Sequence, residues 1–395
     1  MGDFRFLTAG ESHGKGLTIV IEGVPAGLSL SEEYIARDLK RRQGGYGRGG
    51  RMKIEQDFAE ITSGVRHGYT LGSPIALWIR NRDWEHWTEP MSVSPIEAEI
   101  ERVTRVRPGH TDLIGAVKYG TDDVRNVIER ASARETASRV AAGAVARRLL
   151  EELGVAIHSH TVNIGGAEVS ADLVPDWRDV EASPVRCGDP VVAQRMIENI
   201  DASKVEGDTL GGMIEVRASG VPLGLGSHVH WDRKLDGRIA QAICSINAFK
   251  GVDFGAGFRA ASQRGSAVHD VVLPRDQWGE RPWRHATNRH GGIIGGISTG
   301  EDIVVRAVIK PIPTLAHPLP SVDLDSGEEV LARYERSDVC VVPAAGVVAE
   351  AMVALVLAHA ALEKFGGDRL SETLTNYRAF LATALPRQDL RRQHG

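Results

Sequence analysis

The sequence has few cysteines and no long uninterrupted hydrophobic run, and each shortage excludes a class of protein. Its three cysteines, Cys187, Cys244 and Cys340, lie far apart and form no CxxC pair, so neither a disulfide framework nor a zinc or other metal site is expected. No stretch approaches the roughly 18 consecutive apolar residues of a membrane-spanning helix, and the N-terminus lacks the apolar segment of a signal peptide. A reduced, cytoplasmic compartment fits these absences best.

An excess of positive charge is also missing. The 395 residues include 47 Lys and Arg against 52 Asp and Glu, which gives a formal net charge of -5. Nucleic-acid-binding domains are usually strongly basic, and the aromatic residues, at 5%, offer few surfaces on which bases could stack. We therefore expect neither a nucleic acid nor a membrane as a partner. Local clusters of basic residues become informative against this acidic background.

Glycine, by contrast, is abundant. The chain contains 44 glycines, many of them in pairs such as Gly44-Gly45 and Gly291-Gly292. Paired glycines permit sharp turns and a close approach of the backbone to a ligand. This composition is more usual for an enzyme than for a scaffold protein.

Periodicity and capping signals predict helices separated by short strands. The predicted helices run from about Ser31 to Gln43, Ser132 to Leu153, Arg233 to Phe249 and Ala345 to Phe365. The predicted strands are Leu17–Ile21, Ile75–Ile79, Met213–Arg217 and Ile303–Ile309. The elements do not alternate at βαβ spacing, which favours an α+β fold over a doubly wound parallel sheet. We interpret residues 1–395 as one domain with loop-rich segments at 168–190 and 315–335 and a flexible tail after Pro386.

Two short motifs match well-known patterns but lack their structural context. Gly10-Glu11-Ser12-His13-Gly14 fits the G-x-S-x-G nucleophile elbow, yet only eleven residues precede the serine, too few for the strands of that fold. The segment 45–50 fits G-x-G-x-x-G, but it leaves a helix and enters a β-like run at Met52–Ile54, the reverse of a dinucleotide fingerprint. Neither a serine hydrolase nor a Rossmann domain is indicated.

Two clusters of basic residues point to an anionic ligand. In the first, Arg48 and Arg51 lie on a glycine-rich turn, where guanidinium groups can meet an oxyanion closely. In the second, Arg130 and Arg134 flank Ser132 at a predicted helix N-terminus, whose free amides form an anion site. A solvated basic helix face and an ordinary capped helix are the simpler alternatives.

Three further residues in loops could carry acid–base chemistry: His13, His110 and Asp338. A single loop histidine is usually a surface residue, and the chain has 14 histidines. A departing phosphate would nevertheless benefit from an imidazolium as general acid. From the residues alone, we expect a phosphate-handling enzyme that uses histidine acid–base chemistry.

Six segments, taken together, resemble the chorismate synthase family, and they occur in the family's order along nearly the whole chain. They are Thr8-Ala9-Gly10-Glu11-Ser12-His13-Gly14, Arg107-Pro108-Gly109-His110, Arg130-Ala131-Ser132-Ala133-Arg134-Glu135-Thr136, Gly291-Gly292-Ile293-Ile294-Gly295-Gly296-Ile297-Ser298, Lys310-Pro311-Ile312-Pro313-Thr314 and Arg336-Ser337-Asp338-Val339-Cys340. The resemblance implies a β-α-β sandwich, in which a helical layer lies between antiparallel sheets, and a homotetramer. It also implies a 1,4-anti elimination of phosphate from 5-enolpyruvylshikimate 3-phosphate that needs reduced FMN without net redox change.

The resemblance also implies roles for individual residues. His13 would protonate the departing phosphate with assistance from Ser12, His110 would protonate or stabilise the reduced flavin, and Asp338 would accept a proton at flavin N5. Arg48, Arg51, Arg134 and Arg336 would bind the anionic groups of the substrate. The positions that match flavin contacts are Arg130, Ala131, Ser132, Asn247, Ala248, Gly295, Lys310, Pro311, Ile312, Pro313, Thr314 and Arg336.

NADPH is implied only as a reductant, at the positions of Arg42 and Arg48. Because no reductase domain or credible Rossmann motif is present, we expect an external flavin reductase as a partner. Pro313 stands where many family members have a small polar residue, and Ser337 stands where many have histidine. These two differences would affect details of flavin binding. Two alternatives remain: a flavin-independent phosphate-eliminating enzyme, and a non-catalytic binder of an anionic metabolite.

Overall fold

The computed structural model describes residues 4–49, 56–171, 173–278, 283–335 and 337–384. The strands are β1 (Arg5–Ala9), β2 (Gly16–Glu22), β3 (Ala59–Ser63), β4 (Val65–Arg66), β5 (Tyr69–Thr70), β6 (Ile75–Arg80), β7 (Ala156–Ile164), β8 (Ala167–Glu168), β9 (Gly212–Ser219), β10 (Phe249–Phe254), β11 (Ile293–Ile294), β12 (Ile297–Ser298), β13 (Ile303–Ile309), β14 (Pro320–Val322) and β15 (Glu329–Leu331). The helices are α1 (Glu32–Gln43), α2 (Asp112–Tyr119), α3 (Arg125–Ala131), α4 (Thr136–Glu152), α5 (Trp177–Ala182), α6 (Pro190–Glu206), α7 (Leu235–Cys244), α8 (Gly265–Val268), α9 (Val342–Phe365) and α10 (Leu370–Thr383).

Two antiparallel sheets form the outer layers. The first has the strand order β1-β2-β6-β3, and the second has the order β10-β13-β9-β7-β8. Helices α1 and α4 pack on the first sheet, and α7 and α9 pack on the second. Because α4 and α9 also pack against each other, the helices lie between the sheets. The expected α+β sandwich with a central helical layer is confirmed.

Helix α9 is the centre of the core. Its length and composition would allow it to cross a membrane, although Glu350 and His359 interrupt its apolar residues. In the fold, 83% of its most apolar stretch is buried, against α4, β7 and β9. This burial is typical of a core helix rather than of a helix that faces lipid.

Glu350 brings a negative charge into that core, where arginines surround it. Its carboxylate accepts hydrogen bonds from Arg41 Nη1 at 2.8 Å, Arg147 Nη2 at 2.7 Å and Ser159 Oγ at 2.6 Å, and Arg186 contacts it at 3.2 Å. Burial would raise the pKa of Glu350, but the three arginines hold this pKa well below its ordinary value. The cluster ties the last turn of α1 to α9 and so fixes the start of the glycine-rich turn that follows α1.

Of the predicted helices, the first is confirmed, since Ser31 caps α1 by accepting from Tyr34 N–H at 3.2 Å. The third is shorter than expected. It ends at Cys244 because the chain turns there, with Ala248 in the left-handed region at φ 71°. The fourth begins earlier, at Val342. The predicted strands all lie within β2, β6, β9 and β13.

The prediction of one helix from Ser132 was wrong in detail. Helix α3 ends at Ala131, a 3₁₀ turn spans Ala133–Glu135, and α4 begins at Thr136. Ser132 Oγ accepts from Arg134 N–H at 3.3 Å, and Glu135 does not complete a capping box because its carboxylate binds Arg139 and Thr8. The extra turn directs the side chain of Arg134 towards Asp57 and Asn81.

Candidate active site

The loop between β1 and β2 carries Ser12 and His13 and is held from inside. Gly10 has φ 116°, and a Cβ there would lie 2.5 Å from the carbonyl oxygen of Gly16, so only glycine suits this turn. Asn81, at the end of β6, donates to the carbonyl oxygens of Glu11 at 3.0 Å and Gly14 at 2.8 Å. Ser12, in the same loop, is buried.

His13 is hydrogen-bonded to a buried carboxylate. Glu129 accepts the His13 backbone N–H at 2.8 Å and lies 2.9 Å from ring atom Nδ1. Burial raises the pKa of Glu129, but the hydrogen bonds and charge of His13 outweigh it and lower this pKa below its usual value. The Trp87 ring stacks on the imidazole with 4.1 Å between centroids. The protein's own side chains therefore set the orientation of the histidine.

His110 is held by a second carboxylate. Its Nδ1 contacts Asp112 Oδ1, and Arg107 Nε donates to Asp112 Oδ2 at 2.8 Å. Although burial acts to raise the pKa of Asp112, the hydrogen bonds from His110 and Arg107 lower it to about 2. Arg107 Nη1 also donates to Thr314 Oγ1 at 3.3 Å, which brings the Arg107–His110 turn against the 310–314 segment.

Arg134 and Arg42 share one buried anion. Asp57 accepts from Arg134 Nη1 through one oxygen and lies 3.3 Å from Arg42 Nη1 through the other. Arg134 Nε also donates to Asn81 at 2.9 Å, so the arginine is connected to the His13 loop. Arg42 donates to Thr136 Oγ1 and to the carbonyl oxygen of Ala133, and only 4% of its surface is exposed. In this arrangement Arg42 supports the turn that carries Arg134.

Arg48 and Asp338 meet across the site. Arg48 Nη1 lies 3.3 Å from Asp338 Oδ2, and the Gly49 N–H donates to the other carboxylate oxygen. The Val339 N–H donates to the carbonyl oxygen of Gly47 at 2.9 Å, which joins the glycine-rich turn to the 337–340 segment. The candidate substrate ligands Arg51 and Arg336, and the predicted run Met52–Ile54, lie outside the described residues.

Most of the candidate flavin contacts converge. Asn247 donates to the carbonyl oxygen of Ala131 at 2.7 Å, and the Lys310 N–H donates to the carbonyl oxygen of Ala248 at 3.0 Å. Lys310 Nζ reaches the carbonyl oxygen of Gly109, beside His110. The segments 130–132, 247–248 and 310–314 therefore meet near His110.

Gly295 is the exception. It lies in the turn between β11 and β12, where the carbonyl oxygen of Gly296 accepts the Leu235 N–H at 3.0 Å at the start of α7. Asn247 follows the other end of this 10-residue helix. A helix of that length spans about 15 Å, so Gly295 lies apart from the other candidates within one chain.

An alternating series of charges connects the two histidine sites. Arg125 Nη1 lies 3.2 Å from Glu129 Oε1 and 3.9 Å from Glu335 Oε1, while Arg107 Nη1 lies 3.4 Å from Glu335 Oε2. Through Asn81 and Arg134 the same network reaches Asp57 and Arg42. The cavity of about 240 Å³ on the outer face of the five-stranded sheet, lined by His160, Glu215 and Arg306 among others, contains none of these candidates.

Comparison with known proteins identifies the family. The family model described as chorismate synthase matches residues 4–362. The chain belongs to the chorismate synthase family. It is 58% identical over 384 residues to the chorismate synthase of Moorella thermoacetica, covering 95% of this chain and 99% of that protein. It is 57% identical over 377 residues to that of Geobacillus kaustophilus, covering 93% and 95%.

A solved structure agrees with this assignment. A crystal structure of chorismate synthase superimposes with a TM-score of 0.78 at 43% identity and covers 97% of this chain and 99% of its own. The chain is thus an enzyme of the chorismate synthase type, a lyase that belongs to aromatic amino-acid biosynthesis. Among the described residues, no group of three His, Cys, Asp or Glu side chains is arranged to hold a metal ion.

Sequence reasoning missed the residues that hold the catalytic candidates in place. Glu129 and Asp112 had a local signal, since the first is adjacent to Arg130 and the second lies two residues after His110. Asp57, Asn81 and Trp87 had none, because only the tertiary fold brings them to the site.

Proposed function

We propose that this chain catalyses the 1,4-anti elimination of phosphate from 5-enolpyruvylshikimate 3-phosphate to give chorismate, with reduced FMN bound and no net redox change. One observation carries the proposal. Motifs that span more than three hundred residues of sequence converge on a connected network that contains His13, Arg134 and His110, and Arg48 and Asp338 lie beside it. The many guanidinium groups of this network suit a substrate with several anionic groups.

In the proposed reaction His13 gives a proton to the departing phosphate. Because Glu129 holds Nδ1 and the backbone N–H, the proton would leave from Nε2. Ser12, in the same loop, assists. Arg134 and Arg48 bind the phosphate and carboxylate groups, together with Arg51 and Arg336. Asp338 would accept a proton at N5 of the bound flavin, the role that the family resemblance implies.

The residues at the flavin candidate site fit a planar cofactor with a phosphate. Arg130 and Lys310 supply positive charge, and the left-handed turn at Ala248 exposes backbone beside Asn247. When bound, reduced FMN would supply the reducing power that assists expulsion of phosphate, and would recover it by the end of the turnover. Arg130, Ala131, Ser132, Asn247, Ala248 and 310–314 would hold it, and His110 would hold a proton beside it.

The position of Gly295 supports the homotetramer that the family resemblance implies. Gly295 lies at the far end of α7 from Asn247, so it could contact a flavin only if a neighbouring subunit brought it there. The burial of Arg42 similarly favours an external flavin reductase over direct use of NADPH, because an NADPH contact would require Arg42 to leave Asp57 and Thr136. We also infer a single catalytic domain and a cytoplasmic location.

Anaerobic turnover tests the proposal. We expect purified protein to release phosphate and form chorismate from 5-enolpyruvylshikimate 3-phosphate only when dithionite-reduced FMN is present. Dithionite without FMN and oxidised FMN without dithionite are the controls. Equal phosphate release in all mixtures would favour the flavin-independent enzyme, and binding of the substrate without turnover in any of them would favour the non-catalytic binder.

A further inference from the structure

The carboxylate of Glu129 contacts both the backbone and the ring of His13. One carboxylate oxygen of Glu129 accepts the backbone N–H of His13 at 2.8 Å and lies 3.1 Å from Nδ1 of the same residue, while the other oxygen lies 2.9 Å from Nδ1. Glu129 lies on α3 and is 3% exposed. The carboxylate thus determines both the backbone position and the ring orientation of His13.

Two other side chains complete the setting. Trp87 stacks on the imidazole at an interplanar angle of 29°, which restricts rotation of the ring. The Arg125 guanidinium lies 5.0 Å from the centre of the Trp87 ring and 3.2 Å from Glu129 Oε1. Arg125 therefore holds the carboxylate and the indole together, and among the described residues Glu129 and Arg125 are charged groups that face this side of His13.

We propose that Glu129 is the positioning residue for His13 and that it keeps the ring proton of the neutral imidazole on Nδ1. An ionised carboxylate has no proton to give, so Nδ1 must be the donor in this contact. Any proton that His13 exchanges with a ligand then passes through Nε2. The benefit of this tautomer to catalysis rests on the proposed function, whereas the tautomer itself does not.

Glu129→Gln gives a sharp test, because an amide has only one accepting oxygen. The oxygen that accepts the backbone N–H of His13 also lies 3.1 Å from Nδ1, but the other oxygen is the nearer partner of Nδ1 at 2.9 Å. With the amide oxygen kept on the backbone N–H, the NH₂ group would take this nearer position and donate to Nδ1. Nδ1 would then have to be the acceptor, and the proton of the neutral ring would move to Nε2. We therefore expect the substitution to invert the tautomer.

Solid-state ¹⁵N NMR of sedimented, histidine-labelled protein can observe this inversion without substrate or flavin. Spectra would be taken near pH 9, about 2.5 units above the ordinary pKa of histidine, and the His13 signals would be identified by their loss in His13→Gln. We expect a protonated Nδ1 in the parent and a protonated Nε2 in Glu129→Gln. A protonated Nδ1 in both proteins would overturn the proposal, as would a protonated Nε2 in the parent.

The pair His290 and Asp270 is a matched control. Asp270 accepts the backbone N–H of His290 at 3.0 Å and lies 2.7 Å from Nδ1 of that residue. Of the candidate site motifs, only the 291–298 segment is close to this pair in sequence. Asp270→Asn should leave the His13 signals unchanged, and Glu129→Gln should leave those of His290 unchanged. Loss of both sets of signals in either variant would mean general loosening of the fold and would contradict a role confined to His13.

Kinetics separates this proposal from the proposed function. After His13 gives up its Nε2 proton, the ring must keep the proton on Nδ1, which the amide of the variant opposes. We expect kcat to fall about 100-fold in Glu129→Gln with little change in KM. An inverted tautomer with an unchanged kcat would retain the structural assignment but remove His13 from the acid role. An unchanged tautomer would refute the positioning role whatever the turnover.

Discussion

The side-chain amide of Asn81 donates to the carbonyl oxygen of Gly14 at 2.8 Å. The same amide reaches the carbonyl oxygen of Glu11, and its own oxygen accepts from Arg134 Nε at 2.9 Å. One buried side chain therefore sets the position of the His13 loop relative to a proposed substrate-binding arginine. Asn81, directly after β6, therefore joins the motif of His13 to the motif of Arg134.

Asn81→Ala should lower both stability and turnover. Removing the amide leaves buried carbonyl groups and one guanidinium donor without their partner, which costs about 1–3 kcal/mol for a group left unsatisfied. We expect urea denaturation to show this loss and kcat/KM to fall with it. Asn199→Ala is the control, because Asn199 donates to the carbonyl oxygens of Ile164 and Gly165 in a turn outside the site. If both variants lose turnover equally, Asn81 has no special connection to the site.

Asp57→Asn should destabilise the fold and weaken substrate binding. Asp57 is the anion shared by Arg42 and Arg134, and burial already lowers the pKa of Arg42 to about 10 against the opposing charge of Asp57. Removing one partner of a buried ion pair typically costs about 3–5 kcal/mol.

The test compares Asp57→Asn with Asp122→Asn, whose carboxylate pairs with Arg102 at an exposed site. Denaturation should show a loss of at most about 1 kcal/mol for the exposed pair. A rise in KM confined to Asp57→Asn is expected. Similar small losses in both variants would mean that Arg42 and Arg134 do not depend on Asp57.

The sequence predicted the layers of the fold better than the breaks between its elements. Strand β13 and helix α1 were anticipated because periodicity and caps are local signals, and Ser31 acts as expected. The break at Ser132 was not, because Glu135, which a capping box would use, binds Arg139 and Thr8 instead. Arg134, in the extra turn, binds Asp57 and Asn81, which are distant in sequence. Local capping rules cannot include such a competing partner.

The same distinction applies to the site. His13, His110 and Arg134 lie in motifs whose residue types suggest their chemistry. The residues that orient them, such as Glu129 and Asn81, are ordinary in composition, and their role follows from which neighbour the fold supplies. For Gly295 the motif alone is misleading. It suggests a site shared with the other flavin-contact candidates, but α7 separates Gly295 from them within one chain.

Stability should depend on pH through Asp112. Hydrogen bonds from His110 and Arg107 overcome burial and lower the pKa of Asp112 from 3.8 to about 2. Because the folded-state pKa is the lower one, this contribution is complete above about pH 4 and disappears as pH falls towards 2. It amounts to about 2 kcal/mol.

Urea denaturation of the parent and of Asp112→Asn at several pH values measures this contribution. We expect the parent to be more stable near neutral pH, and the difference to shrink as pH falls from 4 towards 2. Exposed Asp122→Asn should show no such convergence. A constant difference between parent and Asp112→Asn over this range would show that Asp112 stabilises through packing alone and not through its charge.

The packing of α4 on α9 leads to the last prediction. A Cβ at Gly143 would lie 2.3 Å from Ala351 Cβ and 2.6 Å from Ala351 Cα, so the helices can approach this closely only with glycine. Alanine is the better helix former by about 1 kcal/mol, yet overpacking of a core costs about 1–3 kcal/mol. Gly143→Ala should therefore be destabilising overall.

Gly237→Ala in α7 should be stabilising by up to about 1 kcal/mol, because the nearest atom to the added Cβ is Lys234 Cβ at 4.0 Å. Denaturation of both variants at one fixed protein concentration gives opposite signs if the close helix contact governs stability, and the same stabilising sign if helix propensity does.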